Sequence, residues 1–256
     1  MILALDVGNT NIVMGCIDEK QIHFQGRFST DKQKTELEYA IMFKSILDLN
    51  NIDFTEIDGA VISSVVPPLV NILKRAIVML TGCEPLVIND TTIIDMPIDI
   101  DNRKQLGNDL VVDAVAALAE HKPPLVIFDL GTATTISVVN KDGVYIGGVI
   151  IPGIKTSQAA LSSGTSQLPS ISLDAPDNVI GRNTIDCMKS GAVFATASMM
   201  DGMIDRIEDE LGAKATAIAT GGLARTVVPH CRREILYDDD LLLKGMWIIY
   251  NKNLTK

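Results

Sequence analysis

Leu3-Ala4-Leu5-Asp6-Val7-Gly8-Asn9-Thr10-Asn11 and Ile127-Phe128-Asp129-Leu130-Gly131-Thr132-Ala133-Thr134 are two versions of one phrase. Each is an apolar run that ends in Asp, then Gly, then small hydroxyl or amide residues, then a second apolar run. An apolar run closing on Asp-x-Gly reads as a buried strand entering a tight turn. Glycine carries no Cβ, so a phosphate can approach the backbone and its N–H groups. Thr and Asn add side-chain donors, and Asp offers a hard oxygen to a cation. Either turn alone is ordinary hairpin punctuation. The matched pair, one in each half, predicts two related lobes gripping a nucleotide phosphate tail, with Asp6 and Asp129 facing a shared crevice.

Working outward, Ile2 to Val7, Ile12 to Ile17 and Ile22 to Phe28 read as three strands, and Thr35 to Leu49 as a helix. Ala60 to Val66 is a continuous apolar run, the mark of a buried parallel strand. Pro67-Pro68 opens a helix through about Leu80, and Pro85 to Ile88 is a short strand. Asp95 to Gln105 is polar and irregular, a surface loop, and Asp109 to Glu120 is a helix. The pattern then restarts. Leu125 to Asp129, Ala133 to Asn140 and Val144 to Ile151 are strands; Ile154 to Leu161 and Thr184 to Leu211 are helices. Ala215 to Ala219 is a strand running into Gly221-Gly222, followed by a short strand near Glu234 to Leu236 and a helix from about Asp240. The repeated β-β-β-α order points to internal duplication. Punctuation at Pro123-Pro124 puts the boundary at residue 120, giving lobes 1–120 and 121–256. The expected class is α/β, with mixed sheets flanked by helices.

The chain has 256 residues and a formal net charge of -10, which argues against non-specific nucleic-acid binding. An anionic substrate would need a local positive pocket. A hydrophobic fraction of 47% supplies a real core. A mean hydropathy of +0.25 is high and hints at a buried oligomer surface as well. Cys16, Cys83, Cys187 and Cys231 lack metal-ligand or redox spacing and read as free thiols in a reducing cytosol. The amino terminus reaches Asp6 without a basic region, unlike a signal peptide, and no apolar stretch is long enough to cross a bilayer.

Phosphoryl transfer needs a divalent cation, donors around the γ-phosphate and an oriented nucleophile. Asp6 would hold Mg²⁺, through water, while Gly8, Asn9 and Thr10 line the phosphates and Gly131, Thr132 and Thr134 close from the other lobe. Ile218 to Ala224 carries Gly221-Gly222, suited to a flat adenine or a phosphate and equally to tight strand-to-helix packing. Gly107-Asn108-Asp109-Leu110 precedes an Ala/Val helix; Asp109 either caps it or acts as a general base toward a hydroxyl. Gly147 to Gly153 allows close approach of a ligand or another backbone, or is a strand-end turn. Thr184 stands at a helix start as an N-cap or a substrate donor. Gly191, Ala192, Ala195, Ala197 and Ser198 form either a helix-packing face across a two-fold axis or ordinary core.

These motifs, in order and over nearly the full length, resemble the type III pantothenate kinase family: DVGNTNIVMG, RFSTDKQKTELEY, SSVVPP, GNDL, DLGTATT, GGVIIPG, IGRNT and TGGLA. The resemblance implies two duplicated ribonuclease-H-like lobes of the actin, heat-shock ATPase and sugar kinase superfamily. It implies a cytoplasmic homodimer that phosphorylates pantothenate with ATP, using Mg²⁺ and a monovalent cation, K⁺ or NH₄⁺. It assigns ATP contacts to Asp6, Val7, Gly8, Asn9, Thr10, Asn11, Ile12, Val13 and Thr132, and the glycine reading above adds Gly221 and Gly222 as ATP-binding candidates. Asp109 matches the catalytic base and Asp129 the monovalent-cation ligand. Gly107, Asn108, Asp109, Leu110, Ile100 and Thr184 fall at pantothenate contacts. Two positions depart from the family pattern: Leu110 stands where it has Arg, and Ile100 where it often has Tyr. An apolar side chain replaces neither contact, and a lost charge-assisted hydrogen bond costs roughly 1.5–3 kcal/mol. Arg103, Lys104, Lys155 and Arg182 are nearby cations, each readily a solvated surface charge. The alternatives are a paralogue with another acceptor, or a nucleotide-binding regulatory module without kinase activity.

Overall fold

The computed structural model describes residues 1–254. The described chain forms two compact units: Met1–Asp95, Asn102–Ala116 and residues 242–254, then Met96–Asp101 with Ala117–Leu241. The C-terminal segment thus groups with the first unit, although a single boundary at residue 120 would close the second lobe with it.

In the first unit, β1 (Ile2–Val7), β2 (Asn11–Ile17) and β3 (Ile22–Ser29) form an antiparallel meander. After α1 (Glu36–Leu49), β4 (Gly59–Ser64) lies parallel to β1. Beyond α2 (Pro67–Thr81), the two-residue β5 (Leu86–Val87) lies parallel to β4. The sheet order is β3-β2-β1-β4-β5. Leu3, Leu5 and Val7 alternate to one face of β1 and share a core with Tyr39, Phe43 and Leu47 of α1 and Leu69 and Leu73 of α2. Each such burial stabilises by about 1.5–3 kcal/mol. On the opposite face Leu243 of α7 (Leu241–Leu254) meets Gly15, and Tyr250 meets Gly59. Helices therefore cover both faces, which is why β1 and β4 can be apolar throughout.

The start of α1 is set by a capping box. Thr35 Oγ1 accepts from Glu38 N–H at 3.4 Å, and Glu38 Oε2 accepts from Thr35 N–H at 2.8 Å.

The second unit repeats the first. β6 (Leu125–Leu130), β7 (Ala133–Val139) and β8 (Tyr145–Pro152) form the meander, and α4 (Ile154–Gly164) and α5 (Thr184–Leu211) follow. β9 (Thr216–Thr220) lies parallel to β6, then come the four-residue α6 (Ala224–Val227) and β10 (Leu236–Tyr237). The order β8-β7-β6-β9-β10 and its strand directions match the first sheet position for position. Val126, Phe128 and Leu130 pack with Val193, Ala197, Met200 and Ile204 of α5. The last major helix before α4, α3 (Asn108–Glu120), begins at the GNDL segment.

Two expectations change. The segment 95–105 is not simply a surface loop. Met96 is buried, Asp99 N–H donates to the Tyr145 carbonyl at 2.9 Å, and Tyr145 N–H donates to that of Pro97 at 2.9 Å. Met96 draws the stretch inward, with Ile98 and Ile100 half-buried beside it and Ile98 bridged to Tyr145. The small residues of α5 divide by helical phase: Ala192 and Ala197 enter the core, while Gly191, Ala195 and Ser198 stay exposed. The four cysteines are free.

Candidate active site

In the first unit β1 delivers Asp6 to the carboxyl end of the parallel pair β1/β4, the end where open α/β sheets place ligands. Val7 pairs with Ile12 across the turn, and Gly8 N–H donates to the Asn11 carbonyl at 3.0 Å. Thr30 binds the turn twice: its N–H donates to the Thr10 carbonyl at 2.9 Å and its Oγ1 to the Gly8 carbonyl at 2.7 Å. Three turn carbonyls are thus engaged, while the side chains of Asn9 and Thr10 are exposed. The remaining character of the turn suits an anion. Asp6 is registered against Ser63 of β4 on the same face of the sheet. Ser63 Oγ is fully buried and has no hydrogen-bond partner.

Asp109 also lies in the first unit. It is the second residue of α3, inside the first turn, so it is not the cap. Leu110 N–H donates to Asp109 Oδ1 at 3.0 Å. Burial pushes the Asp109 carboxyl above its ordinary value, and that backbone hydrogen bond only partly offsets the rise. A Cβ at Gly107 would collide with the Asp109 carboxylate, so the glycine is what lets the acid fold back over the helix start. Asn108 Nδ2 donates to the Ile88 carbonyl at 3.0 Å and ties this start to the end of β5.

In the second unit Asp129 occupies the place of Asp6. Its neighbours on the same face are Thr135 of β7 and Thr220 of β9. Thr135 Oγ1 is enclosed without a hydrogen-bond partner. This turn is one residue shorter than the first: Leu130 pairs with Thr134 where Val7 pairs with Ile12. Gly131 N–H donates to the Ala133 carbonyl at 3.0 Å. The Thr132 carbonyl accepts from Gly153 N–H at 3.1 Å and from Thr156 Oγ1 at 2.7 Å. Gly153, which ends the GGVIIPG motif, therefore pins the turn. Gly221 has φ +90° and lies against the Asp129 carboxylate and the backbone of Leu130. Gly222 beside it is exposed. Gly131 and Gly221, far apart in sequence, border one carboxylate, and Gly153 holds the turn that follows it. Replacing Gly221 by Ala is expected to cost more than about 1 kcal/mol, because both the positive φ and the contact with Leu130 oppose a side chain. Denaturant midpoints measure this, and an unchanged midpoint would contradict the contact.

Thr184 is the first residue of α5 and not its N-cap. Asn183 is the cap, with Oδ1 accepting from Asp186 N–H at 2.9 Å. Thr184 and Thr134 line one cavity of about 810 Å³, together with Arg182, Met188, Gly191 and Met199. Ile100 lies half-buried in the Met96–Asp101 segment and counts with this unit. Sequence reasoning missed Ser63 and Thr135. A strand-parity reading of SSVVPP would have set Ser63 on the face of Asp6.

Among the described residues no group of three or more His, Cys, Asp or Glu is placed to hold a metal, and no helix is long and apolar enough to cross a membrane. The fold alone resembles component A of (R)-2-hydroxyglutaryl-CoA dehydratase from Acidaminococcus fermentans, with a TM-score of 0.55 at 13% identity, covering 100% of this chain and 99% of that one. It also resembles the ethanolamine utilization protein EutJ from Carboxydothermus hydrogenoformans, with a TM-score of 0.50 at 16% identity, covering 97% and 88%. The duplicated five-stranded sheets, each with a carboxylate-glycine turn at the same place, define a repeated α/β fold with one acidic turn in each unit.

A family model described as type III pantothenate kinase matches residues 2–206. A type III pantothenate kinase from an Exiguobacterium species is 40% identical over 253 residues, 99% of each chain. One from Citrifermentans bemidjiense is 39% identical over 253 residues, 99% of this chain and 100% of that one. The chain belongs to the type III pantothenate kinase family.

Proposed function

We propose that this chain transfers the γ-phosphoryl group of ATP to the primary hydroxyl of pantothenate, giving 4′-phosphopantothenate and ADP, the first step of coenzyme A synthesis. Membership of the family, with a relative matched over 99% of the chain, carries the reading. The raised basicity of the Asp109 carboxylate supports it. The hydroxyl oxygen bonds to the γ-phosphorus as the bond to the β–γ bridging oxygen breaks, ADP leaves, and Asp109 takes the hydroxyl proton. In this reading the first unit would hold phosphates at Asp6 to Val13 and the acceptor at Gly107 to Leu110, and the second would serve the nucleotide through Thr132, Gly221 and Gly222 and the acceptor through Ile100 and Thr184.

The donor sets fit the implied ions. One carboxylate with the buried, unpartnered Ser63 hydroxyl beside it suits Mg²⁺, which keeps several waters and takes its other oxygens from phosphates. Asp129 beside the unpartnered Thr135 hydroxyl suits a monovalent ion, which is satisfied by one carboxylate and neutral oxygens. Bound there, the ions would neutralise charge on and near the phosphates. A homodimer is part of the proposal. Gly191, Ala195 and Ser198 run exposed along α5, with Ile180 and Ile185 exposed before and at its start.

The test is ATP-dependent phosphorylation of labelled pantothenate with Mg²⁺ and K⁺ present. Product formation with one ADP per phosphopantothenate is expected. ATP consumption that ignores millimolar pantothenate would overturn the reading. Leu110 is the observation that favours a second one, a different hydroxyl acceptor, and turnover confined to another compound in an acceptor screen would establish it.

A further inference from the structure

Pantothenate is a carboxylate, and the segment that should receive it carries the apolar Leu110, where the resemblance described above leads one to expect an arginine. The chain is acidic overall, so a replacement cation has to be local. Lys104, Lys155 and Arg182 are exposed. Arg103 is different. It opens the short 3-10 turn Arg103–Gln105, four residues before Gly107, and it belongs to the same compact unit as Asp109. Leu106 N–H donates to the Arg103 carbonyl at 3.2 Å, which fixes this turn directly onto the GNDL segment. Its side chain is half-buried, and Nη1 is enclosed with no hydrogen-bond partner. Among the described residues no carboxylate pairs with its guanidinium.

A guanidinium stays charged at every accessible pH, so it cannot relieve burial by losing a proton. A withdrawn, unsatisfied charged donor is costly, and it becomes favourable when a ligand supplies the missing acceptor. A carboxylate is the best-matched acceptor, since its two oxygens meet the planar fork of N–H groups. We propose that Arg103 binds the acceptor carboxylate in this chain, taking over the role that Leu110 cannot perform. The assignment rests on the pantothenate kinase reading above and makes Arg103 a specificity-determining residue. It explains how the GNDL segment can lose a cation and keep an anionic acceptor.

The experiment compares pantothenate with its neutral alcohol, in which CH₂OH replaces the carboxylate and the phosphorylated hydroxyl is retained. In Arg103→Met the ratio of kcat/KM for pantothenate over the alcohol is expected to fall about ten- to hundredfold, the effect of losing one charge-assisted pair, with most of the change in the pantothenate KM. The double variant Arg103→Met with Leu110→Arg is expected to recover that ratio. Calorimetric titration of pantothenate into each protein gives the same comparison without turnover. An Arg103→Met enzyme that keeps the wild-type ratio, or that loses both acceptors equally, overturns the assignment while pantothenate kinase activity stands. A wild-type protein that phosphorylates neither acceptor overturns the functional reading and this assignment with it.

Discussion

Asp109→Asn is expected to reduce kcat by about 10²–10⁴-fold, the usual worth of a positioned general base, while ATP still binds. Asparagine keeps the shape and can still accept the Leu110 N–H, but it cannot take a proton. Because burial raises the Asp109 pKa, the acid limb of the wild-type rate profile should lie above the ordinary carboxylate range, with activity rising as the group loses its proton. That limb should vanish in the variant. The stability effect has the opposite sign. An acid whose pKa is raised by folding disfavours the folded state once pH exceeds the unfolded value, and the penalty is complete above the folded value. At neutral pH Asp109→Asn should therefore raise the melting temperature slightly as it removes turnover, the trade expected where function holds a group against its own solvation. Full activity in Asp109→Asn would remove this residue from the mechanism. A lower melting temperature would mean its carboxylate is structural.

Much of the fold was legible because its signals are local. The apolar run 2–7, the Pro67-Pro68 helix start and the repeated Asp-x-Gly phrase each name an element without help from distant residues. The repeat also fixed the topology, since two copies of one pattern fold into two sheets of one order. What stayed hidden depends on register and on partners far along the chain. Nothing near Gly153 says that it donates to Thr132, twenty-one residues away, or that Gly221 will sit against Asp129. The one-residue shortening of the second turn is a property of strand pairing, invisible when DVGNTN and DLGTAT are laid side by side. Asn183 and Thr184 are both good caps by type, and only the backbone decides between them. The Thr-x-x-Glu signature at Thr35 was readable and simply local. Arg103 was visible as a cation, but its enclosure is a tertiary fact, and enclosure separates it from Lys104 next door.

Glu208 is expected to carry a large stability effect outside the site. It lies on α5 with its side chain only 5% exposed, and such a carboxylate survives in the core only if its oxygens are satisfied. Lys214 Nζ and Arg233 Nη2 each donate at 2.7 Å and Ala215 N–H at 3.1 Å. Burial alone would raise its pKa; the hydrogen bonds from Arg233, Lys214 and Ala215 outweigh it and bring the value from 4.5 to about 2. These contacts join the end of α5 to the strand entry at Ala215 and to the segment before β10, so one side chain orders three pieces of backbone. Removing one partner of a buried ion pair can cost about 3–5 kcal/mol when the other is stranded. Here Arg233 keeps Asp205, and Lys214, 84% exposed, can turn to water, so the loss for Glu208→Ala should be smaller, about 2–4 kcal/mol. A pKa lowered by folding contributes stability above the unfolded value and loses it as pH falls through the folded one. The gap in unfolding free energy between wild type and Glu208→Gln should therefore be constant above about pH 5 and close between about pH 4.5 and 2, where the wild-type carboxyl becomes as neutral as the amide. Urea unfolding across that range measures it. A gap that persists unchanged down to pH 2 would mean that the shape of the side chain, and not its charge, holds α5 to its neighbours.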